Sequence, residues 1–553
     1  MALERNAVPG DSGVFAFKED TGKAEELSEQ FFASYKKKAD TSSIETMVHF
    51  LYKNGLQHPE KPAYEWYDPI SDRICHVTYE ELMRDVAALG SALYSRGFRG
   101  STAALIGRTG YPWVLCFLTS IMSDMIIVPL DPDLGKEEMD KRLRHCRADA
   151  VFLADELVSY ADVFSEGTAS GHENRVIHFS DLNNLLAEGE SLLINGFTEW
   201  LDDYISEKQR ALMIFTSGTG GKMKAAVIRQ ENLMLERFVW QGIEADQSKC
   251  HLTLPLYHIA GIGDLRGTIL TGTTAYLGGG LRYLLKEYAY VQPRTGFMVP
   301  AQAELVRGLL LGKTVEEGRK LLGGRFVAIR SSGAPLPGKM RDFFNSYGID
   351  ITSDYGMTET CGPVSVSVMK NGRLFSKPGS AGRILDSIEV KIDHPDELGH
   401  GEILISGPCV FDGYFEDPEE TRKVLKDGWL YTGDIGYVDE DRYLYIVGRK
   451  KNVIITQSGE NVIPEELEEN IRMIPGVKEC LVYEKDGKLA VKIFAKDESC
   501  SDTDGQGLKG SILEGIRRQN GERPTYKRIS ITEFTDAPLP KTSTGKIKRN
   551  LAE

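Results

Sequence analysis

Ala211-Leu212-Met213-Ile214-Phe215 runs directly into Thr216-Ser217-Gly218-Thr219-Gly220-Gly221-Lys222-Met223-Lys224. An apolar run of this length reads as a buried strand. The segment after it is built to hold an anion. Glycines let the backbone turn its N–H groups outward, hydroxyls add further donors, and two lysines add fixed positive charge. The expected ligand carries several phosphates. The spacing is neither GxxxxGK[ST], because no Ser or Thr follows Lys222, nor GxGxxG, so an ordinary P-loop NTPase and a dinucleotide oxidoreductase are not the first choices.

On either side of this segment, helical periodicity alternates with short β-branched runs over roughly the first 440 residues. Tyr79–Arg96 reads as a helix with an apolar face, Thr102–Ile106 as a strand, Met139–Arg147 as a helix and Ala150–Ala154 as the next strand. Such alternation predicts βαβ units and mostly parallel sheets covered on both faces, with ligands at the loops beyond the strand ends. From Lys391 the texture changes to short strands and tight turns, among them Gly401–Ser406 and Tyr443–Val447, which predicts a small antiparallel subdomain. After Gly448-Arg449-Lys450-Lys451 come a helix from Pro464, strands over Glu479–Glu484 and Leu489–Ala495, a helix over Leu508–Gln519 and a strand over Ile529–Phe534. The expected fold is therefore α/β. It has a large N-terminal domain (1–449) of mostly parallel sheets flanked by helices plus the antiparallel subdomain, and a small α+β C-terminal domain (450–553).

At 553 residues the chain is too long for one core, and 41% hydrophobic with 27% charged residues is ordinary for a globular protein. A net charge of -15 argues against general nucleic-acid or anionic-membrane binding, so an anionic ligand has to be met by focused groups. The eight cysteines are scattered, with no CxxC pair and no metal-ligand spacing, as in a reduced cytoplasmic protein. Met1–Gly10 lacks the apolar core of an export signal. The most apolar region, Trp113–Leu130, is interrupted by Ser and Asp and reads as a buried helix followed by a strand, so no integral membrane segment is expected.

Further segments join the cradle: Ser331-Ser332-Gly333-Ala334-Pro335 after a strand, Asp354-Tyr355-Gly356-Met357-Thr358-Glu359 after another, Tyr431-Thr432-Gly433-Asp434, Gly448-Arg449, and Pro540-Lys541-Thr542-Ser543-Thr544-Gly545-Lys546-Ile547-Lys548-Arg549. In this order they resemble the adenylate-forming superfamily of acyl-CoA synthetases, luciferases and peptide-synthetase adenylation domains, from about Ile44 to the C-terminus. The resemblance implies ATP, Mg²⁺ and coenzyme A. An acid is activated to an acyl-adenylate with release of pyrophosphate, and a thiol then displaces AMP. It implies that Thr216, Ser217, Gly218, Thr219, Gly220, Gly221, Lys222 and Lys224 hold the β- and γ-phosphates, that Glu359 ligates Mg²⁺ and that Thr358 lies near the α-phosphate. Adenine is implied to lie between the Gly333-Ala334-Pro335 backbone and the Tyr355 ring, within the motif that also supplies Asp354, Gly356 and Met357. Asp434 is implied to accept from both ribose hydroxyls, with Arg449 assisting.

Lys546 is implied to bridge the acid carboxylate and the α-phosphate, bringing positive charge where negative charge accumulates. A lysine on the smaller domain implies domain rotation, with Lys451 at the hinge position and Gly459 lining the thiol tunnel. Leu254–Gly261 resembles the acyl-CoA synthetase form of the substrate gate, with His258 beside the reacting carboxylate. Amino-acid-activating relatives place Asp where this chain has Ile259, which disfavours an amino acid, and Gly448–Glu468 looks most like the fatty-acyl branch. The short interval from Glu359 to Gly382 lacks the insertion of carrier-loading ligases and favours free coenzyme A, with an acyl carrier protein as the alternative acceptor. Three positions depart from the family pattern. Gly220 replaces a threonine, Met223 a proline and Ala225 a glycine, which leaves a degenerate, non-catalytic ATP-binding homologue as a further alternative. Asp264 and Arg266, soon after the gate, either face the acyl pocket or pair on a helix surface, and the surface is the expectation.

Overall fold

A computed structural model describes residues 31–40, 45–68, 71–160, 175–217, 223–235, 249–334, 336–370, 373–456, 460–496, 505–541 and 547–549. Its largest sheet has seven strands. The five at one side, Arg210–Ser217, Ile126–Leu130, Thr102–Ile106, Ala150–Leu153 and Arg175–His178, are parallel neighbours in that order. Their residues are apolar on both faces because helices cover both, and Ala103, Ala104, Leu105, Val128, Val151 and Phe152 are fully buried. The helix Tyr79–Ser95 shows why the chain enters a helix there. The Thr78 hydroxyl accepts from the Glu81 amide, and the Glu81 carboxylate accepts in return from the Thr78 amide at 2.9 Å.

The cradle departs from a simple strand-to-helix turn. Arg210–Ser217 is followed by the antiparallel strand Met223–Arg229, which pairs Thr216 with Lys224 and Ser217 with Met223. Gly413–Tyr414 then adds antiparallel to Met223–Arg229 at the sheet edge. A four-stranded sheet (Arg73–Thr78, Pro62–Asp68, Ala275–Leu277, Cys250–Leu252) and a parallel three-stranded sheet (Thr295–Met298, Ala328–Ser331, Asp350–Ser353) complete the layered part. The antiparallel subdomain expected from Lys391 begins at Glu389 and has five strands centred on Trp429–Val438.

Beyond Arg449, a single turn at Lys450–Asn452 leads to the helix Pro464–Arg472, the strands Val477–Lys485 and Lys488–Ala495, the helix Gly505–Glu522 and the strand Ile531–Thr535, with their own buried cluster that includes Leu467, Ile471, Val482 and Ile493. The helix Tyr111–Ile121 is buried as expected, and no described helix is long and apolar enough to cross a membrane.

Candidate active site

One large cleft collects the end of the cradle strands, the loops after the parallel strands, the antiparallel subdomain and the last segment of the chain. From the cradle it is lined by Thr216 and Lys224, whereas Gly218, Thr219, Gly220, Gly221 and Lys222 lie outside the described residues, as does Pro335. Gly333 and Ala334 line the cleft after Ala328–Ser331, and Gly333 has φ +86°, a conformation that side-chain-bearing residues rarely adopt.

Asp354-Tyr355-Gly356-Met357-Thr358-Glu359 leaves the parallel sheet, turns into the short strand Tyr355–Met357 and closes in a single 3₁₀ turn at Thr358–Thr360. Gly356 is required by packing. A Cβ there would lie 2.1 Å from the Gly362 carbonyl oxygen. The Asp354 carboxylate points inward, accepting from Arg330 at 2.7 Å and from the Ser367 amide and hydroxyl at 2.8 Å each. It braces the motif from behind.

Tyr355 and Asp434 meet in the cleft. The tyrosine hydroxyl donates to Asp434 Oδ2 at 2.7 Å, and Arg449 Nε donates to Oδ1 at 2.8 Å. Strand register brings the arginine there, since Asp434 and Arg449 are direct partners on neighbouring antiparallel strands. Burial first, and then the neighbouring Asp434 charge, pushes the Tyr355 hydroxyl well above the usual tyrosine range, so it stays a donor. Asp434 is itself buried at 3% exposure, and as a carboxylate it offers acceptors only.

Glu359 is buried, and its Oε1 accepts from the Tyr414 hydroxyl at 2.8 Å. Among the described residues no cluster of three or more His, Cys, Asp or Glu side chains could hold a metal. A lone carboxylate suits a hard cation that takes its remaining ligands from phosphate oxygens and water, the mode Mg²⁺ prefers.

His258 caps the helix Ile259–Thr271, its carbonyl accepting from Ile262 N at 3.0 Å, with the Tyr257 ring 4.7 Å from its own. Burial lowers the His258 pKa below the ordinary histidine value. Asp131 works against that effect and Arg142 adds to it, so the imidazole is neutral near pH 7. The helix corrects the expectation for Asp264 and Arg266, because both are buried. Arg266 donates to the Leu233 carbonyl at 3.1 Å, the Cys361 carbonyl at 3.0 Å and the Cys361 sulfur at 3.2 Å. Cys361 directly follows the Thr358–Thr360 turn in a left-handed conformation, φ +53°. The guanidinium therefore ties the helix Ile259–Thr271 to the turn that carries Glu359.

On the smaller lobe, Lys541, Ile547, Lys548 and Arg549 line the same cleft, and Lys451 lines it from the connection. Lys546 and Gly459 lie outside the described residues. The flanks of Lys546 are firmly held. Lys541 and Ile547 form an antiparallel bridge, Lys541 pairs with Glu479 at 2.5 Å, and Arg549 pairs with the buried Glu468 at 2.8 Å.

Three residues escaped the sequence reading: Arg266 as a brace, Tyr414 on Glu359, and Glu420, whose Oε2 lies 2.5 Å from the Lys224 ammonium. The Asp417-Pro418-Glu419-Glu420 run signals a helix start, which forms at Pro418–Val424, but gives no sign of what that helix faces.

Comparison with known proteins agrees with this geometry. The 2-succinylbenzoate–CoA ligase of Listeria monocytogenes serotype 4b (strain F2365) is 26% identical over 491 residues, covering 86% of this chain and 93% of that ligase. A feruloyl-CoA synthase of an Amycolatopsis species is 29% identical over 494 residues, covering 85% and 92%. The solved o-succinylbenzoate CoA synthetase from Bacillus subtilis, in complex with its acyl-adenylate intermediate, shares the fold at a TM-score of 0.70 with 22% identity, over 91% of this chain and 97% of that one. A family model described as AMP-binding enzyme matches residues 51–415, and one described as AMP-binding enzyme C-terminal domain matches 451–553. The chain belongs to the AMP-binding enzyme family, the adenylate-forming superfamily that its motifs resemble.

Proposed function

We propose that the chain is an AMP-forming acid–thiol ligase that uses ATP, Mg²⁺ and coenzyme A. The observation that carries this reading is the convergence of Thr216, Tyr355, Glu359, Asp434 and His258 in one cleft with the residues flanking Lys546. In this reading the adenine packs on the Tyr355 ring against the Gly333–Ala334 backbone, and the ribose hydroxyls donate to Asp434. Arg449 and the Tyr355 hydroxyl hold that carboxylate in place. Glu359 would hold a Mg²⁺ ion, which would supply charge neutralisation to the phosphates. The acid carboxylate attacks the α-phosphorus, an O–P bond forms, and the α–β bridge breaks to release pyrophosphate. Lys546 lowers the negative charge shared by the two reacting groups. The thiolate of coenzyme A then attacks the acyl carbon, a C–S bond forms and AMP departs.

His258 works as a neutral group at the gate. Its uncharged ring can lie beside an apolar acyl chain and donate one hydrogen bond without importing charge. The acid we assign is a fatty or an aryl acid. The segment Gly448–Glu468 favours a fatty acid, and the relatives named for succinylbenzoate and ferulate favour an aryl acid. We place the domain boundary at 449/450, where the turn Lys450–Asn452 separates two strands, with Lys451 as hinge, Gly459 on the thiol path and rotation delivering and withdrawing Lys546. Scattered cysteines with no disulfide among the described residues suit a reducing, cytoplasmic setting.

The test is pyrophosphate release across fatty, aromatic and amino acids, followed by thioester formation with free coenzyme A against an acyl carrier protein. Acid-dependent pyrophosphate release with thioester formation on free coenzyme A supports the proposal. Turnover only with the carrier moves the chain to the carrier-loading class, and no release with any acid leaves a non-catalytic homologue.

A further inference from the structure

Lys224 lines the cleft, but its ammonium is already engaged. It lies 2.5 Å from Glu420 Oε2 and 4.8 Å from the centroid of the Tyr414 ring. Both charged side chains are mostly shielded, at 12% exposure for the lysine and 20% for the glutamate. Hydrogen bonds from Lys224 and Lys423 hold the Glu420 carboxyl down to about 2, so it is ionised at every working pH. A permanent carboxylate beside a polyphosphate cradle works against its ligand twice. It screens the cradle cation, and it repels the incoming phosphates directly.

We propose that Glu420 is an affinity-setting residue of the phosphate cradle: it holds Lys224 in an internal ion pair that bound polyphosphate has to share or displace, and so keeps ATP and pyrophosphate from binding too tightly. This rests on the ligase reading. The arrangement has a use there, because pyrophosphate is a product that must leave before the thiol step. Tyr414 sets where the pair sits. Its ring lies beside the Lys224 ammonium while its hydroxyl holds Glu359, so the cradle cation and the cation-binding carboxylate share one side chain. The Glu420 backbone contributes to the placement, since its amide donates to the Asp417 carboxylate at 3.1 Å in the first turn of Pro418–Val424.

The experiment is Glu420→Gln, which keeps shape and an acceptor for Lys224 while removing the charge. Binding of magnesium pyrophosphate and of a non-hydrolysable ATP analogue is measured by titration calorimetry on the full chain with no acid present. One unit charge removed a few ångströms from a phosphate in a partly shielded site should tighten both ligands by about tenfold. The gain should shrink as salt rises, and it should be clearly smaller when Lys224→Met is added and only the direct repulsion remains, which a general loosening of the fold would not produce. Glu420→Ala should behave alike and guards against an effect peculiar to the glutamine. Unchanged or weaker binding by the folded Glu420 variants, or an equal gain in the Lys224→Met background, overturns the proposal and leaves the ligase reading standing. Failure of the unaltered chain to bind either polyphosphate removes both.

Discussion

Arg266 offers a test of how the helix Ile259–Thr271 and the turn Thr358–Thr360 depend on each other. Its guanidinium is fully buried and donates to Leu233 O, Cys361 O and Cys361 Sγ at 3.0–3.2 Å. Arg266→Met keeps an unbranched side chain and removes those donors. Hydrogen bonds from a charged group to two carbonyls contribute roughly 1.5–3 kcal/mol each. Removing one member of a buried charged network leaves its partners unsatisfied and costs about 3–5 kcal/mol, less than the roughly 5–15 kcal/mol by which folded domains are stable. Catalysis should suffer more, because Cys361 abuts the turn that carries Thr358 and Glu359, and a displacement of about 1 Å at a reacting group costs on the order of 100-fold. The assay pairs a thermal melt with acid-dependent pyrophosphate release over a range of Mg²⁺ concentrations. The expected result is a folded variant with about 100-fold lower turnover and a higher Mg²⁺ requirement. Turnover within about threefold of the parent in a folded Arg266→Met protein would refute the brace.

Removing Asp434 (Asp434→Ala) strips Tyr355 and Arg449 of their shared acceptor as well as the sugar contact, so KM for ATP should rise by about 100-fold, from two charge-assisted hydrogen bonds. The parent should discriminate against 2′-deoxy-ATP and the variant should not, and retained discrimination would count against the ribose assignment. Lys546→Ala should lower acyl-adenylate formation by about 100-fold or more while sparing thioester synthesis from supplied acyl-adenylate, and equal loss in both half-reactions would undo the division of labour. For His258, burial lowers the native pKa, so the native state resists the proton that the unfolded chain accepts near pH 6.5. Its contribution to stability is intact above about 6.5 and is lost as pH falls below that value through the depressed native pKa. Activity should therefore show an acid limb below the ordinary histidine range that His258→Gln abolishes, and the same limb in the variant would place the titration elsewhere.

Much of the architecture could be read from residue order. The apolar run Ala211–Phe215 lies inside the strand Arg210–Ser217, Thr102–Ile106 is a strand with those bounds, and the helix from Pro464 starts where proline at a first helical position places it. Local signals suffice for such elements because periodicity and caps are local. What escaped depends on distant pairing. Arg266 looks like a surface charge when set beside Asp264, since nothing in the helix itself announces that Leu233 and Cys361 offer it carbonyls. Asp354 lines the cleft with its motif, but nothing in the motif announces that its carboxylate accepts from Arg330 and Ser367. Tyr414 and Glu420 reach the site because Gly413–Tyr414 pairs with the strand from Met223, a contact between segments nearly two hundred residues apart.

The bridge between Lys541 and Ile547 closes a clamp whose two ends are anchored on different elements, Lys541 to Glu479 on the strand Val477–Lys485 and Arg549 to Glu468 on the helix Pro464–Arg472. The end of the chain is thereby riveted to both layers of the C-terminal unit, and whatever displaces that unit carries the clamp with it as one piece.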